Sequence, residues 1–228
     1  MLFPPANMRL LRVLLLSALL PITAHAADKP CCGKITPEGH RLSAAIDSFD
    51  VEHHWLSGSR IEWLSGDPLP NNPKGTTHCS AYAAAAAYRL QIYLLRPPDH
   101  GQYRLSNAQG HWLDSDEGRK AGWKAINTPA EAQTLANQGW LVLVTYINPN
   151  EKDPGHLAVL RPAEKTEAQL AEEGPQVSQS GWTNRNDWPA AKSFTRHPGA
   201  WPSNVRYYAH AVHWAKLPAT PAANATNK

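Results

Sequence analysis

The sequence predicts a single α+β domain, because helix signals fill the first half of the chain and strand signals follow in a run that suits an antiparallel sheet. The strongest helix former is the alanine-rich stretch at residues 80–95. The clearest strand signals, at 140–147 and 156–161, are rich in β-branched and aromatic side chains. No internal repeat is visible, so one hydrophobic core is expected.

The N-terminal segment has the pattern of a secretory signal peptide. Arg9 and Arg12 form a positive region, residues 13–22 form an apolar core, and Ala24-His25-Ala26 is a small-x-small cleavage site. The apolar run is too short to span a bilayer, and no later stretch is apolar for long enough. We therefore expect residues 1–26 to be removed and the protein to be periplasmic or secreted, with no membrane span.

The first predicted helix begins at Thr36, which suits an N-cap, followed by Pro37 at the first helical position. Apolar residues at helical spacing would face the core: Leu42, Ile46 and Phe49. Residues 55–63 then suit a short strand or turn. Residues 66–75 are rich in proline, glycine and asparagine and must form a loop, which leads the chain to Cys79.

Three further helices are predicted. The first covers residues 80–95 and is central and buried, since five consecutive alanines allow close backbone packing, and Pro97-Pro98 ends it. A weaker helix follows at 105–113. The third begins with a capping box at Thr128 and runs to about Asn137, before Gly139.

Four strands are predicted in the second half, at 140–147, 156–161, 176–180 and 205–214. A charged excursion at 163–173 between the second and third strands suits a short surface helix. Beyond it, residues 217–228 are small, polar and proline-containing, so we expect a disordered tail.

Composition excludes several classes of function. The net charge of +3 is mild and unclustered, so nucleic acid is not an expected partner. The sequence has 11 histidines but no H-E-x-x-H helix motif, and no glycine-rich phosphate loop follows a strand, so neither a metal nor another cofactor is predicted. Nine tryptophans suit a core, although exposed ones could stack on sugars or peptides.

The odd number of cysteines, three in an exported chain, leaves at least one thiol unpaired within a monomer. A vicinal or intermolecular bond of Cys31 and Cys32 would leave Cys79 free. Alternatively, Cys79 could pair with one of them and all three would be structural. A free thiol in an oxidising compartment favours a catalytic role for Cys79.

Cysteine chemistry needs an acidified thiol, an imidazole and a group that orients the imidazole. Cys79 stands at a helix start, where the helix dipole favours an anion, so its position alone is expected to acidify it. His156 opens a strand and shares a face with the small Ala158. Gln179 on the following strand could accept a hydrogen bond from the ring, with Asn184 as the competing orienter.

Together these motifs resemble the papain-like CHAP and NlpC families of peptidoglycan amidohydrolases. T-T-H-C-S-A-Y-A at residues 76–83 is similar to their nucleophile segment, and G-H-L-A-V-L at 155–160 is similar to their histidine strand. V-S-Q-S-G-W at 177–182 carries glutamine where those families have glutamate or asparagine. The resemblance covers roughly residues 76–184.

The resemblance implies a papain-like domain at residues 70–216, with a central Cys-bearing helix packed on an antiparallel sheet, after an extension at 27–69 that contains one helix. It implies amide hydrolysis by Cys79, His156 and Gln179 on peptidoglycan or another peptide substrate; no inhibitor protein can be identified. The oxyanion would bind the backbone N–H of Cys79. Residues expected near the substrate or oxyanion are Asn71, Asn72, His78, Asn184 and Trp182, with Trp188 and Trp201 as further cleft candidates.

Two other functions fit the sequence. An exported domain with many tryptophans could bind glycan or peptide without cleaving it. A transglutaminase-like or protein-directed cysteine enzyme would share the Cys–His chemistry and differ in substrate. A binding domain differs from a hydrolase in having no catalytic role for Cys79. A transglutaminase-like or protein-directed enzyme differs from a peptidoglycan hydrolase only in its substrate.

Overall fold

The computed structural model describes residue 1 and residues 29–70 and 74–218. The predicted signal peptide at 1–26, the candidates Asn71 and Asn72, and residues 219–228 of the predicted tail lie outside the described residues.

The described chain is a mixed α+β structure with a six-stranded antiparallel sheet. The helices are α1 (Pro37–Asp47), α2 (Cys79–Arg89), α3 (Leu105–Asp114), α4 (Asp116–Lys120), α5 (Pro129–Asn137), α6 (Glu167–Glu173) and α7 (Ala190–Ser193). The strands are β1 (Lys124–Ile126), β2 (Leu141–Tyr146), β3 (His156–Leu160), β4 (Gln176–Gln179), β5 (Arg185–Pro189) and β6 (Arg206–His210), in the sheet order β1-β6-β2-β3-β4-β5. No helix of the described part is long and apolar enough to cross a membrane.

The sheet brings the ends of two neighbouring strands together. β3 and β4 are antiparallel, with Val159 opposite Ser178 and Leu160 opposite Val177. β3 begins at His156 and the antiparallel β4 ends at Gln179, so these two residues lie at the same end of the strand pair.

The two faces of the sheet pack against different helices. Leu157 and Val159 belong to the hydrophobic cluster that contains the buried alanines of α2. Ala158 and Leu160 alternate with them and belong to the opposite cluster, with residues of α5 and α7. By the same alternation, His156 lies on the face of β3 that packs against α5 and α7.

The segment predicted as an N-terminal extension contributes to the main core. Its buried apolar residues lie in one cluster with the alanines of α2 and include Leu42, Ile46, Phe49, Val51, Trp55 and Ile61. The predicted boundary at residue 70 therefore does not divide the hydrophobic core.

Helix α2 lies against the sheet at close range because its side chains are small. Ala83 to Ala87 are at most 1% exposed. The hydroxyl of Tyr82 lies 2.6 Å from that of Ser178, which ties the first turn of α2 to β4. This packing fixes the position of Cys79, the first residue of the helix.

Several local signals are confirmed. Thr36 caps α1 through a hydrogen bond from Gly39 N–H, and Thr128 caps α5 through one from Glu131 N–H. The reciprocal bond of the capping box predicted at Thr128 is not found within the described part of the chain. Gly139 follows α5 with a φ of +83°, in the left-handed region that favours glycine.

The predicted length of α2 is wrong. The helix ends at Arg89, well before Pro97-Pro98, because Gln91 takes a left-handed conformation with a φ of 58°. Leu90, Ile92 and Leu94 remain buried outside the helix, so this segment reaches the core without continuing the helical pattern.

Four short elements were not predicted: α4, α7, β1 and β5. β5 has the sequence R-N-D-W-P and lies at the edge of the sheet, where polar residues and proline are tolerated. The predicted strand at 205–214 also ends early, at His210, before a 3₁₀ turn at Trp214–Lys216.

Candidate active site

Cys79 is the first residue of α2 and is only 4% exposed. Its thiol contacts the backbone N–H groups of Leu157, Ser80 and Cys79 itself, and each of them favours the thiolate. Burial outweighs these contacts and raises the pKa of the thiol. The prediction that the helix start alone acidifies Cys79 is therefore wrong, because removal from water opposes the charge more than the N–H groups stabilise it.

Hydrogen bonds and close backbone packing fix the conformation of the loop that precedes His156. Asn107 donates from Nδ2 to the carbonyl of Asp153 at 3.0 Å and accepts at Oδ1 from the N–H of Asn148. A side chain at Gly155 would collide with the carbonyl oxygen of Tyr146. Glycine is therefore required directly before the histidine, and this close packing sets where β3 begins.

The tautomer of His156 follows from its hydrogen bonds. Its Nε2 lies 2.8 Å from Gln179 Oε1, and Gln179 Nε2 donates to the carbonyl of Thr183 at 2.7 Å. A carbonyl oxygen can only accept, so the Gln179 amide must present its oxygen to the ring. Nε2 of His156 therefore carries the proton, and Nδ1 is left with a lone pair.

Ser193 completes this network. Its hydroxyl donates to Gln179 Oε1 at 2.6 Å and accepts from His156 Nε2 at 3.2 Å. The ring N–H is thus shared between two oxygens, which restrains both the position and the tautomer of the imidazole.

Two aromatic rings enclose the imidazole of His156. Phe194 meets it edge-on with ring centroids 5.1 Å apart, and His197 stacks on it at 5.1 Å with an interplanar angle of 17°. Burial, and secondly the neighbouring His197, lower the pKa of His156 to about 3, although the bond to Gln179 acts in the opposite direction. The resting imidazole is therefore neutral at physiological pH.

The Cys79 thiol contacts the backbone of Leu157, the residue directly after His156. Between the side chains of Cys79 and His156, both within the described part of the chain, the structure has no hydrogen bond. His156 lies on the α5 and α7 face of β3, whereas Cys79 opens α2, which packs against the other face. A Cys–His dyad therefore requires the two side chains to approach each other at the start of β3, where the unprotonated Nδ1 would act as the base.

Asn184 forms its hydrogen bonds outside the network around His156. It is buried, its Nδ2 donates to the carbonyls of Val51 and His54 at 2.7 and 2.8 Å, and its Oδ1 accepts from Gly181 N–H at 2.9 Å. Gln179 and not Asn184 orients the histidine, because the Asn184 amide joins two loops; substrate binding by Asn184 stays a prediction.

The ring of His78 is also hydrogen-bonded outside the site. Its Nε2 lies 2.6 Å from the carbonyl of Ser59, so Nε2 carries the proton and Nδ1 has none to donate. Burial lowers the pKa of His78 and favours this neutral form. His78 therefore lines a cavity of about 180 Å³ next to the start of α2 but cannot donate a side-chain hydrogen bond to an oxyanion.

The three tryptophan candidates separate into two groups. Trp182, which is 62% exposed, and Trp188 line a small cavity of about 70 Å³ together with His156 and Gln179. Trp201 stacks on Phe194, with ring centroids 6.4 Å apart, and lines a different cavity that contains no predicted catalytic residue.

All three cysteines are free thiols in the structure. The alternative that pairs Cys79 with Cys31 or Cys32 is therefore not observed. Cys32 is buried, and burial raises its pKa to about 12. Among residues 29–70 and 74–218, no group of three or more histidine, cysteine, aspartate or glutamate side chains is placed to hold a metal ion.

No protein-family model matches this chain, and no curated protein matches it either. The geometry of the site therefore carries the functional argument.

Proposed function

We propose that this protein is an exported cysteine hydrolase of the papain-like CHAP/NlpC type, which cleaves amide bonds in peptidoglycan stem peptides. The observation that carries the proposal is the hydrogen-bond chain from Thr183 through Gln179 to His156. This chain leaves Nδ1 of a neutral imidazole unprotonated, one residue from the backbone N–H that contacts the Cys79 thiol.

Acylation begins from the neutral pair. Nδ1 of His156 accepts the thiol proton while Sγ of Cys79 forms a bond to the carbonyl carbon, and the C=O π pair moves onto oxygen. The Nε2 proton stays in its bonds to Gln179 and Ser193. The tetrahedral intermediate then breaks its C–N bond, the amine leaves with the proton from Nδ1, and a thioester remains.

Deacylation repeats these proton transfers with water. Nδ1 accepts a proton as water oxygen attacks the thioester carbon, the C–S bond breaks, and Cys79 recovers its proton as the carboxylic acid is released. The Cys79 thiol contacts the backbone N–H groups of Leu157, Ser80 and Cys79, and those of Cys79 and Ser80 at the helix start are assigned to stabilise the developing oxyanion.

The order of the elements supports a papain-like arrangement. The nucleophile opens a helix packed on an antiparallel sheet, the histidine opens a strand, and the orienting amide ends the neighbouring strand. Peptidoglycan as the substrate is supported by the similarity of residues 76–184 to the CHAP and NlpC motifs and by the predicted signal peptide.

A non-catalytic binding domain and a protein-directed enzyme are the alternatives. A binding domain gives no reason for a histidine whose tautomer is fixed one residue from the backbone that contacts the Cys79 thiol. The second shares the mechanism above and differs only in substrate.

The test is digestion of purified sacculi by the mature protein, with released fragments identified by mass spectrometry. We expect new amine and carboxylate ends from the wild type and none from Cys79→Ala. Cys32→Ala is a matched control, since Cys32 is also buried but contacts the α5 side of the fold. Identical digests from wild type and Cys79→Ala would contradict the proposal. Cleavage of a protein substrate instead of sacculi would favour the protein-directed alternative.

A further inference from the structure

The cavity beside His156 has positively charged residues at its rim. Lys192 and Arg196 line it, and both are exposed. Its other lining residues are neutral side chains, including Trp182 and Thr77, and none is aspartate or glutamate. A ligand in this cavity therefore lies next to two positive charges.

These two charges are not neutralised within the described part of the chain. Lys192 and Arg196 are absent from its ion pairs, although Arg185 nearby lies 3.7 Å from Glu52. The guanidinium of Arg196 instead lies over the ring of Trp182, 5.6 Å from its centroid. That contact orients the guanidinium and leaves its charge available to a ligand.

A second cavity, on the other side of Thr77, has the same character. It is about 180 Å³ in volume, is lined by Arg60 and Lys74, and has no acidic lining residue. Thr77 lines both cavities and precedes Cys79 by two residues. The nucleophile segment thus lies between two acid-free cavities that each carry two cationic side chains.

The centre of the site supplies no negative charge of its own. Gln179 is neutral where a carboxylate would also be able to orient the imidazole, and His156 and His197 both have lowered pKa values that keep them neutral. An anionic ligand in the cavity beside His156 therefore meets no acidic lining residue and the complementary charges of Lys192 and Arg196.

We propose that the substrate carries a carboxylate close to the scissile amide, and that Lys192 and Arg196 bind it in the cavity beside His156. This inference rests on the proposed amide hydrolysis and assigns its substrate class: anionic peptides, with uncharged or cationic peptides excluded. Arg196 is the more selective of the two residues because its planar guanidinium can form two parallel hydrogen bonds with a carboxylate.

The experiment measures binding without turnover. Cys79→Ala protein is titrated calorimetrically with the C-terminal amides of N-acetyl-alanyl-glutamate and N-acetyl-alanyl-glutamine, so that the glutamate side chain is the one carboxylate that distinguishes the two ligands. We expect at least a tenfold preference for the glutamate ligand, declining as salt is raised. The preference should disappear in a protein that also carries Lys192→Gln and Arg196→Gln, and persist with Lys34→Gln, an exposed lysine that lines none of these cavities.

Equal affinity for the two ligands, no binding of either, or a preference that survives the double substitution would overturn the inference. Circular dichroism of the double variant confirms its fold. Because binding is measured on the Cys79→Ala protein, a carboxylate preference without hydrolysis by the wild type would contradict the proposed function alone. Cleavage of sacculi without a carboxylate preference would contradict this inference alone.

Discussion

The protonation state of His156 depends on the residue that orients it. Gln179 fixes the tautomer through Oε1 but brings no charge, so its hydrogen bond raises the pKa of the imidazole by less than burial and the stacked His197 lower it. A carboxylate at the same position would keep the hydrogen bond and also stabilise the imidazolium. The choice of an amide therefore maintains a neutral base rather than a thiolate–imidazolium pair.

Gln179→Glu should raise the pKa of His156 above its value of about 3, since an adjacent negative charge favours the protonated ring. The acid limb of the pH profile of kcat/KM, where the base must be unprotonated, should move to higher pH. NMR titration of the His156 Cε1–H resonance measures the same shift independently of activity. Gln179→Ala, which removes the orienting bond, should instead lower kcat by about 10–100-fold. An unchanged His156 titration in Gln179→Glu would contradict this explanation.

Sequence patterns could locate Cys79, His156 and Gln179 because each lies at the end of a recognisable element. Ser193 and His197 could not be found in this way. They follow an edge strand with no apolar alternation, and only the folded chain brings them to the imidazole. The raised pKa of Cys79 was also missed, because a helix start is visible in sequence whereas the burial of one thiol is not.

At the scale of elements, the start of α2 is held in place by the packing of its small residues. Ala85 is fully buried and belongs to the cluster that includes Leu157 and Val159 of β3. A larger side chain there would push the helix away from the sheet and displace Cys79 from the backbone of Leu157.

Ala85→Leu should lower the free energy of unfolding by about 1–3 kcal/mol, because the added atoms overfill a packed interior. Ala168→Leu on the exposed side of α6 is the matched control and should change it by less than about 0.5 kcal/mol. Urea denaturation followed by circular dichroism measures both. Equal stability of the two variants would show that the contact between α2 and the sheet tolerates larger side chains.

Elements with strong local signals were predicted well. The caps of α1 and α5 and the buried strands β2 and β3 each follow from residues that act locally. The end of α2 could not be predicted, because 90–95 has good helix formers and only tertiary packing turns the chain at Gln91. The strand β1 has only three residues, too few to show the alternation of apolar and polar residues that identifies a strand in sequence.

At the scale of the whole molecule, three buried or half-buried histidines link stability to pH. Burial lowers the pKa values of His78, His156 and His197 below the ordinary value of 6.5. Between that value and the lower folded values, the unfolded chain binds protons that the folded protein does not. Stability is therefore complete above about pH 6.5 and declines as the pH falls toward the folded pKa values.

The free energy of unfolding should accordingly decrease between pH 7 and pH 5, with each such histidine contributing a slope of at most about 1.4 kcal/mol per pH unit. His156→Gln removes one contribution and should give a shallower slope, whereas His53→Gln, at an exposed histidine whose pKa is raised by Asp50, should not. Urea unfolding curves at several pH values provide the measurement. A slope in His156→Gln equal to that of the wild type would mean that His156 titrates normally in the folded protein.

The most direct test of the central claim is detection of the acyl-enzyme. Wild-type protein is mixed with muropeptides, quenched in acid within the first turnover, and analysed by peptide mass mapping. The proposed mechanism predicts a thioester adduct on the peptide that contains Cys79, with a mass equal to the acyl part of the substrate, which disappears as product accumulates. Product formation with an unmodified Cys79 at every time point would contradict nucleophilic catalysis by this residue.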